Sequence, residues 1–182
     1  MVEPTDRVKI WNSFFKLAWT EAQSVHEVSS GTTRAKEFEP LGGTLSPEEH
    51  HILATMVLCN LAIEARANHL LDELIERGKI SHSEGEAARW LPTKHKWFLL
   101  PKLAGVTAKL DDASGPHQAV SQICSLRNNL LHVDYAGIQK QLPTPDGALS
   151  LFAKFVEAME DMNVVLGRHN KHEKEVLKWS RF

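Results

Sequence analysis

The stretch from residue 46 to residue 78 constrains this chain more than any other. Ser46 is placed to cap a helix, Pro47 fits the first helical position, and Glu49 completes a capping box. Apolar residues then recur at helical spacing without a breaker as far as Arg77, where Gly78 offers a left-handed stop. At ~1.5 Å per residue such a helix is ~45 Å long. A rod of that length has to be the spine of its domain, with the other elements packed along it.

The remaining segments read as partners for that spine. Trp11, Phe14, Phe15, Ala18, Ala22 and Val25 follow the i, i+3, i+4, i+7 spacing of one buried helix face. "SSGTTRAKEFEPLGG" interrupts the pattern with glycine, proline and small polar residues and reads as a connection. Ser81 and Glu84 form a second capping box that opens a short helix running to Trp90. "LPTKHKWFLLPKL" carries Pro92 and Pro101, which predicts short helical turns. Pro116 begins a helix bearing "VSQICSLRNNLLH", residues 136–147 read as a loop, and a last helix starts near Asp146 and is expected to pass Gly167 towards Trp179. No stretch alternates as a strand would. The expected fold is all-α, an up-and-down bundle of about four main helices plus short additional ones, forming a single domain over 1–182.

Composition excludes several classes. The 182 residues are 42% hydrophobic and 24% charged, which suits a globular chain with a sizeable core. A formal charge of −2 argues against nucleic-acid binding by the whole surface and leaves only a local patch. No apolar run reaches the ~18 residues of a membrane span, and "MVEPTDRVKI" has no apolar signal-peptide core. Cys59 and Cys124 both fall in apolar helical segments without ligand spacing. A reduced, cytoplasmic protein that makes no contact with a membrane is expected.

Two polar anomalies stand out against this background. On the helix after Pro116, at ~100° per residue, Arg127 falls in the middle of the arc formed by Val120, Ile123, Cys124, Leu130 and Leu131. Asn128 and His132 lie on its flank, four residues apart and therefore neighbours. A charge centred on an apolar face is costly unless paired. Alone, Arg127 is a snorkelling arginine and His132 a satisfied histidine near a helix end; together, with Asn128 between them, they mark a candidate site. On the spine, Asn60, Glu64 and Asn68 lie at i, i+4, i+8 along the stripe of Leu53, Val57, Leu71 and Ile75. Those three form either a structural hydrogen-bond network or a supporting shell that holds Arg127, with Glu64 accepting from its guanidinium.

"LRNNLLH" resembles the R-x4-6-H signature of HEPN domains, in which a polar residue, often asparagine, follows the arginine. Arg127, Asn128 and His132 match those positions at the shortest spacing. "LAIEARANHLLDEL" on the long helix and "WLPTKHKWFLLPKL" after it add to the likeness, which covers roughly residues 47–135. The resemblance implies a helical bundle that commonly forms homodimers, with the motifs of two protomers facing one cleft. It also implies a metal-independent endoribonuclease of toxin–antitoxin, defence or RNA-processing systems, acting with no cofactor. The alternative it carries is a non-catalytic module that binds a nucleotide or a protein partner such as an antitoxin or a nucleotidyltransferase. Some toxin members place a tyrosine two residues after the histidine as a modification target; here Tyr135 is three residues on, which departs from that pattern.

The chemistry fits those residue types. RNA is cleaved when its own 2′-hydroxyl attacks the adjacent phosphorus, so the protein must move a proton and stabilise the phosphorane. A histidine titrating near neutral pH suits the first task and a forked arginine the second. Asn128 is suited to orienting either His132 or the phosphate. Lys94, Lys96 and Lys102, with Trp97 interleaved, are the expected RNA-binding surface. Arg168, Lys171, Lys174, Lys178 and Arg181 form a second basic cluster, and either run is equally accounted for as a solvated face. Ten histidines invite a metal reading. Glu48 and His51 nevertheless lack the second Glu-x-x-His that a di-iron bundle requires, "HNKH" at 169–172 stands alone, and no HExxH, zinc-spaced Cys/His set or phosphate loop occurs. No metal site is expected.

Overall fold

The computed structural model describes residues 4–31, 45–107, 110–130 and 135–167. Among these residues there are seven helices and no strand: α1 Pro4–Ser29, α2 Pro47–Glu76, α3 His82–Arg89, α4 Thr93–Leu103, α5 Gly115–Leu130, α6 Tyr135–Gln141 and α7 Pro145–Val165. The protein is an all-α bundle whose long members are α1, α2, α5 and α7. No helix among the described residues is long and apolar enough to cross a membrane.

Helix α2 begins and ends where its terminal residues dictate. The Ser46 side chain accepts from the Glu49 amide at 3.2 Å, and the Glu49 carboxylate accepts from the Ser46 amide at 2.7 Å. At the other end Gly78 adopts φ 64°, so that Gly78 N–H reaches Ile75 O and Lys79 N–H reaches Leu74 O. This pair of bonds closes the helix as a Schellman motif and satisfies its last carbonyls. Helix α3 repeats the capping box with Ser81 and Glu84. It docks on α2 through Gly85, where a Cβ would collide with the Ile75 side chain.

The spine is covered on most of its circumference. Ile52, Met56, Cys59, Ile63, Ala67, Leu70 and Leu74 are buried along one side, with Ala62 and Arg66 beside them. Helix α1 runs antiparallel to α2: Glu21 meets His51 at 2.7 Å, and Trp11 lies under the Arg66 guanidinium at 4.6 Å. Its buried face is Trp11, Phe15, Ala18, Ala22 and Val25, as the periodicity predicts, while Phe14 is half-buried. Phe15 packs at 5.7 Å from Phe155 and 6.3 Å from Phe152, which ties α1 to α7. Arg66, itself buried, also donates to Asn163 Oδ1 on α7.

A second polar tether joins α4, α5 and α7. The Trp97 indole can only donate, so its 3.1 Å contact makes His117 Nδ1 an acceptor. The ring proton then sits on Nε2 and is donated to Asp161 Oδ2 at 2.8 Å.

Three sequence expectations need correction. Residues 93–103 form one continuous helix, not separate turns. Pro92 precedes that helix as its N-cap, and Pro101 falls in its last turn, where Gly105 with φ 76° ends it. Residues 136–141, expected as part of a loop, belong to α6. Helix α7 stops at Val165 with Gly167 at φ 67°, so it does not run on past that glycine. Residues 168–182, with the C-terminal basic cluster and "HNKH", and most of the 30–44 connection lie outside the described residues.

The capping box gives an acid-sensitive contribution to stability. Hydrogen bonding from the Ser46 backbone amide holds the Glu49 carboxyl below its usual value of 4.5. Its contribution is therefore full above that usual value and is lost as pH falls through the lower folded value. Ser46→Ala should cost about 0.5–2 kcal/mol in urea unfolding at neutral pH. Glu49→Gln should flatten the acid limb of the stability curve.

Candidate functional site

Helix α5 keeps a continuous buried face from His117 through Ala119, Val120, Ser121, Ile123 and Cys124. In its last turn that face leaves the core. Leu126, Arg127 and Leu130 are half-buried, and Asn128 and Asn129 are exposed. Arg127 therefore stands at the edge of the bundle, where its apolar arc opens to solvent. Its Nη1 donates to Asn128 Oδ1 at 3.1 Å. No carboxylate among the described residues is in ion-pair contact with it. His132 lies outside the described residues, as does the rest of 131–134.

The polar stripe on α2 faces this region but divides its contacts between two helices. Asn60 is buried and donates Nδ2 to Cys124 Sγ of α5 at 3.4 Å. Glu64 takes the Lys96 ammonium and the Thr93 hydroxyl, both from α4. Asn68 accepts from Lys96 Nζ at 2.9 Å and donates to Glu64 at 3.3 Å. The expected partner of Glu64, Arg127, is thus replaced by Lys96. The physical reason is burial: the Lys96 side chain is 1% exposed and must be neutralised, whereas Arg127 reaches water.

The same placement corrects the proposed RNA surface. Lys96 is enclosed and cannot meet a backbone phosphate, and Trp97, at 0% exposure, cannot stack on a base. On a helix these two share a side with Leu100 and Pro101, all buried. Lys94, His95, Phe98 and Lys102 occupy the opposite side. Lys94 is half-exposed and bridges to Asp112 at 3.0 Å, and Lys102 is exposed.

The electrostatics of Cys124 locate the charges relative to one another. Burial pushes its thiol up to about 11; the Asn60 amide lowers it, the Glu64 charge raises it, and the charges of Lys94 and Arg127 lower it. The Cys124 thiol thus feels a carboxylate of α2, an ammonium of α4 and a guanidinium of α5, with burial the dominant influence. Of the residues predicted for the site, Arg127 meets Asn128, Asn60 meets Cys124, Glu64 and Asn68 meet Lys96, and Lys94 meets Asp112.

Arg127 and Asn128 at a solvent edge can contact a phosphodiester, the guanidinium fork suiting its non-bridging oxygens. Among the described residues no group of three His, Cys, Asp or Glu side chains is arranged to hold a metal ion. Sequence reasoning missed Trp90, which is 87% exposed at the turn between α3 and α4. Its position just ahead of Pro92 and outside any apolar periodicity was the available signal. Compared with protein-family models, curated proteins and solved structures, the chain gives no significant match.

Because the Lys96 ammonium depends on Glu64, Glu64→Gln should lower stability by about 3 kcal/mol, the lower end of the range for breaking a buried pair, since Asn68 still accepts from Lys96. Combining it with Lys96→Met should restore part of that loss. Urea midpoints of the two single variants and the double variant check both statements.

Proposed function

We propose that the junction at the end of α5 is the active site of a HEPN-like, metal-independent endoribonuclease. The observation that carries this reading is Arg127 at the solvent edge where α5 leaves the core, half-buried, bound to Asn128 and ion-paired with no acid among the described residues. His132 follows Arg127 by five residues in the chain. Arg127 binds the non-bridging oxygens of the scissile phosphate. His132 moves the proton while Asn128 orients phosphate or imidazole.

In the reaction the 2′-hydroxyl loses its proton and its oxygen bonds to phosphorus. The bond from phosphorus to the 5′-oxygen breaks, and that oxygen takes up a proton. The products are a 2′,3′-cyclic phosphate and a 5′-hydroxyl. No external oxidant, reductant or metal is required for this balance. The site acts as a composite in a two-fold dimer, because pairing two copies covers the apolar flank around Leu126 and Leu130 and brings two arginines to one cleft.

Labelled single-stranded RNA incubated with the protein in EDTA tests the reaction. Cyclic-phosphate ends should form, and both Arg127→Ala and His132→Ala should remove them, by at least ~100-fold for the histidine as a general acid–base group. Cleavage that survives His132→Ala, or that stops on chelation, would overturn the mechanism. RNA binding without cleavage would favour a non-catalytic binding module. Sedimentation at tens of micromolar should show a dimer, and a monomer there would remove the composite site.

A further inference from the structure

Large hydrophobic side chains stay exposed on the side of the α1–α2 pair turned away from α7. Ile10 is 46% exposed, Leu17 51% and Leu61 37%. The two helices run antiparallel in a register fixed by Glu21 on His51 and by Trp11 under Arg66. That register sets Ile10 beside Ala65, Phe14 beside Leu61 and Leu17 beside Leu58, with about one helical turn between rungs. Ile10 and Ala65 line one concavity, as the register requires. Phe14, Leu58 and Ala65 are half-buried and pack on the core from beneath. The result is an apolar ladder of three rungs, about 10 Å long.

The turn between α3 and α4 extends the ladder at its Ile10 end. Arg89 is held on Asp72 and Thr93 on Glu64. Residues 90–92 therefore pass along α2 between those two acids, at the level of Asn68 on the same row. Arg89 also lines the concavity that Ile10 and Ala65 share. Trp90, 87% exposed, and Leu91, 37% exposed, follow it directly. Of the six large hydrophobics exposed among the described residues, all but Val164 thus gather on this face.

Its size and its charges both bear on what covers it. With Trp90 alone in the class of about 150–250 Å², the face offers on the order of 500 Å² of apolar surface. A stable interface takes ~800 Å² from each partner, somewhat over half of it apolar. The face supplies that apolar share. The carboxylates beside it are already paired within the chain, Glu21 with His51, Glu64 with Lys96 and Asp72 with Arg89. The α1 margin carries the hydroxyls of Thr20 and Ser24, which donate to backbone carbonyls of their own helix. Such a face holds out no charge to an oppositely charged partner, and two copies of it meet without like-charge repulsion. It is also self-complementary in length. Turned end for end about the Phe14–Leu61 rung, Ile10 meets the partner's Leu17 and Ala65 meets the partner's Leu58.

We infer that the α1–α2 ladder, extended by Trp90, is a two-fold interface that binds a second copy of this chain. The interface uses a different side of α2 from Asn60, which meets α5. It therefore leaves the Arg127 edge open and does not rest on the reading of that edge as an RNA site. Two distinct two-fold contacts on one chain close into a tetramer.

Sedimentation of the full chain from tens to hundreds of micromolar tests this, with Leu17→Glu, Trp90→Ala and Leu126→Glu as variants. Leu17 and Trp90 are exposed, so unchanged urea midpoints should show that their variants fold as the wild type does. The wild type should pass from dimer to tetramer over this range. Leu17→Glu should weaken that step by about tenfold or more, as the loss of a central interface residue does, and Trp90→Ala should weaken it in the same direction. Leu126→Glu, which disrupts the α5 contact, should leave a dimer held by the α1–α2 face alone. A wild type that passes only from monomer to dimer, with the dimer lost in Leu17→Glu and kept in Leu126→Glu, supports this interface and removes the composite site. A mass that responds to Leu126→Glu but not to Leu17→Glu overturns the interface and leaves the α5 dimer in place. A monomer at every concentration overturns both, and the face then belongs to a different protein.

Discussion

A lysine ammonium shut away from water governs the junction of α2, α4 and α5. Removing such an ion from solvent costs several kcal/mol unless close partners compensate, and Lys96 has Glu64 and Asn68 to do so. Glu64 also takes the Thr93 hydroxyl, so α4 is held at both ends of its first turn. Thr93 is thereby committed to α2, and the N-cap, Pro92, makes no side-chain capping bond. Lys94 lies between the two fixed residues on the opposite side of the helix. There it meets Asp112, in a position set by a bond made behind it. This edge of the bundle is in that sense built from the inside outward.

The other polar contacts of the interior act in the same directional way. Apolar packing rewards burial but does not by itself select which ridge meets which groove. Arg66 reaching Trp11 and Asn163, and His117 between Trp97 and Asp161, are satisfied in only one arrangement of their helices. Each joins elements distant in the chain. The aromatic contacts of Phe15, Phe152 and Phe155 then fill the space that those tethers define.

How far the sequence could be read depended on whether a feature was local. Ser46, Glu49 and Gly78 bound α2 through bonds to residues within a turn, so its limits were visible in the order of residues alone. The buried face of α1 followed from spacing. The 91–103 segment was misread because two prolines look like breaks, although one precedes the first turn and the other falls in the last. That misreading placed Lys96 on the surface. Had the segment been set on a helix, Lys96 would have fallen beside Trp97 and Leu100. Asn60, Glu64 and Asn68 were legible as a polar line, although Glu64 and Asn68 are half-buried at the edge of the core face and not centred on it, and periodicity cannot decide which of two cations a carboxylate meets. That choice depends on how α4 lies against α2. Trp90 escaped notice because a lone aromatic in a polar turn leaves no periodic trace.

The contact between Arg66 and Asn163 has a consequence for how the chain is made. The two residues are 97 positions apart, whereas Lys96 follows Glu64 by 32. As the chain leaves the ribosome, α2 and α4 can settle their charges between themselves early. The Arg66 guanidinium, already in reach of Trp11, must wait for the last described helix before its amide partner exists. The interior is therefore complete only once α7 has been made. A chain cut short before Pro145 would leave Arg66 without Asn163 and Phe15 without Phe152 and Phe155, open to whatever surface they meet first.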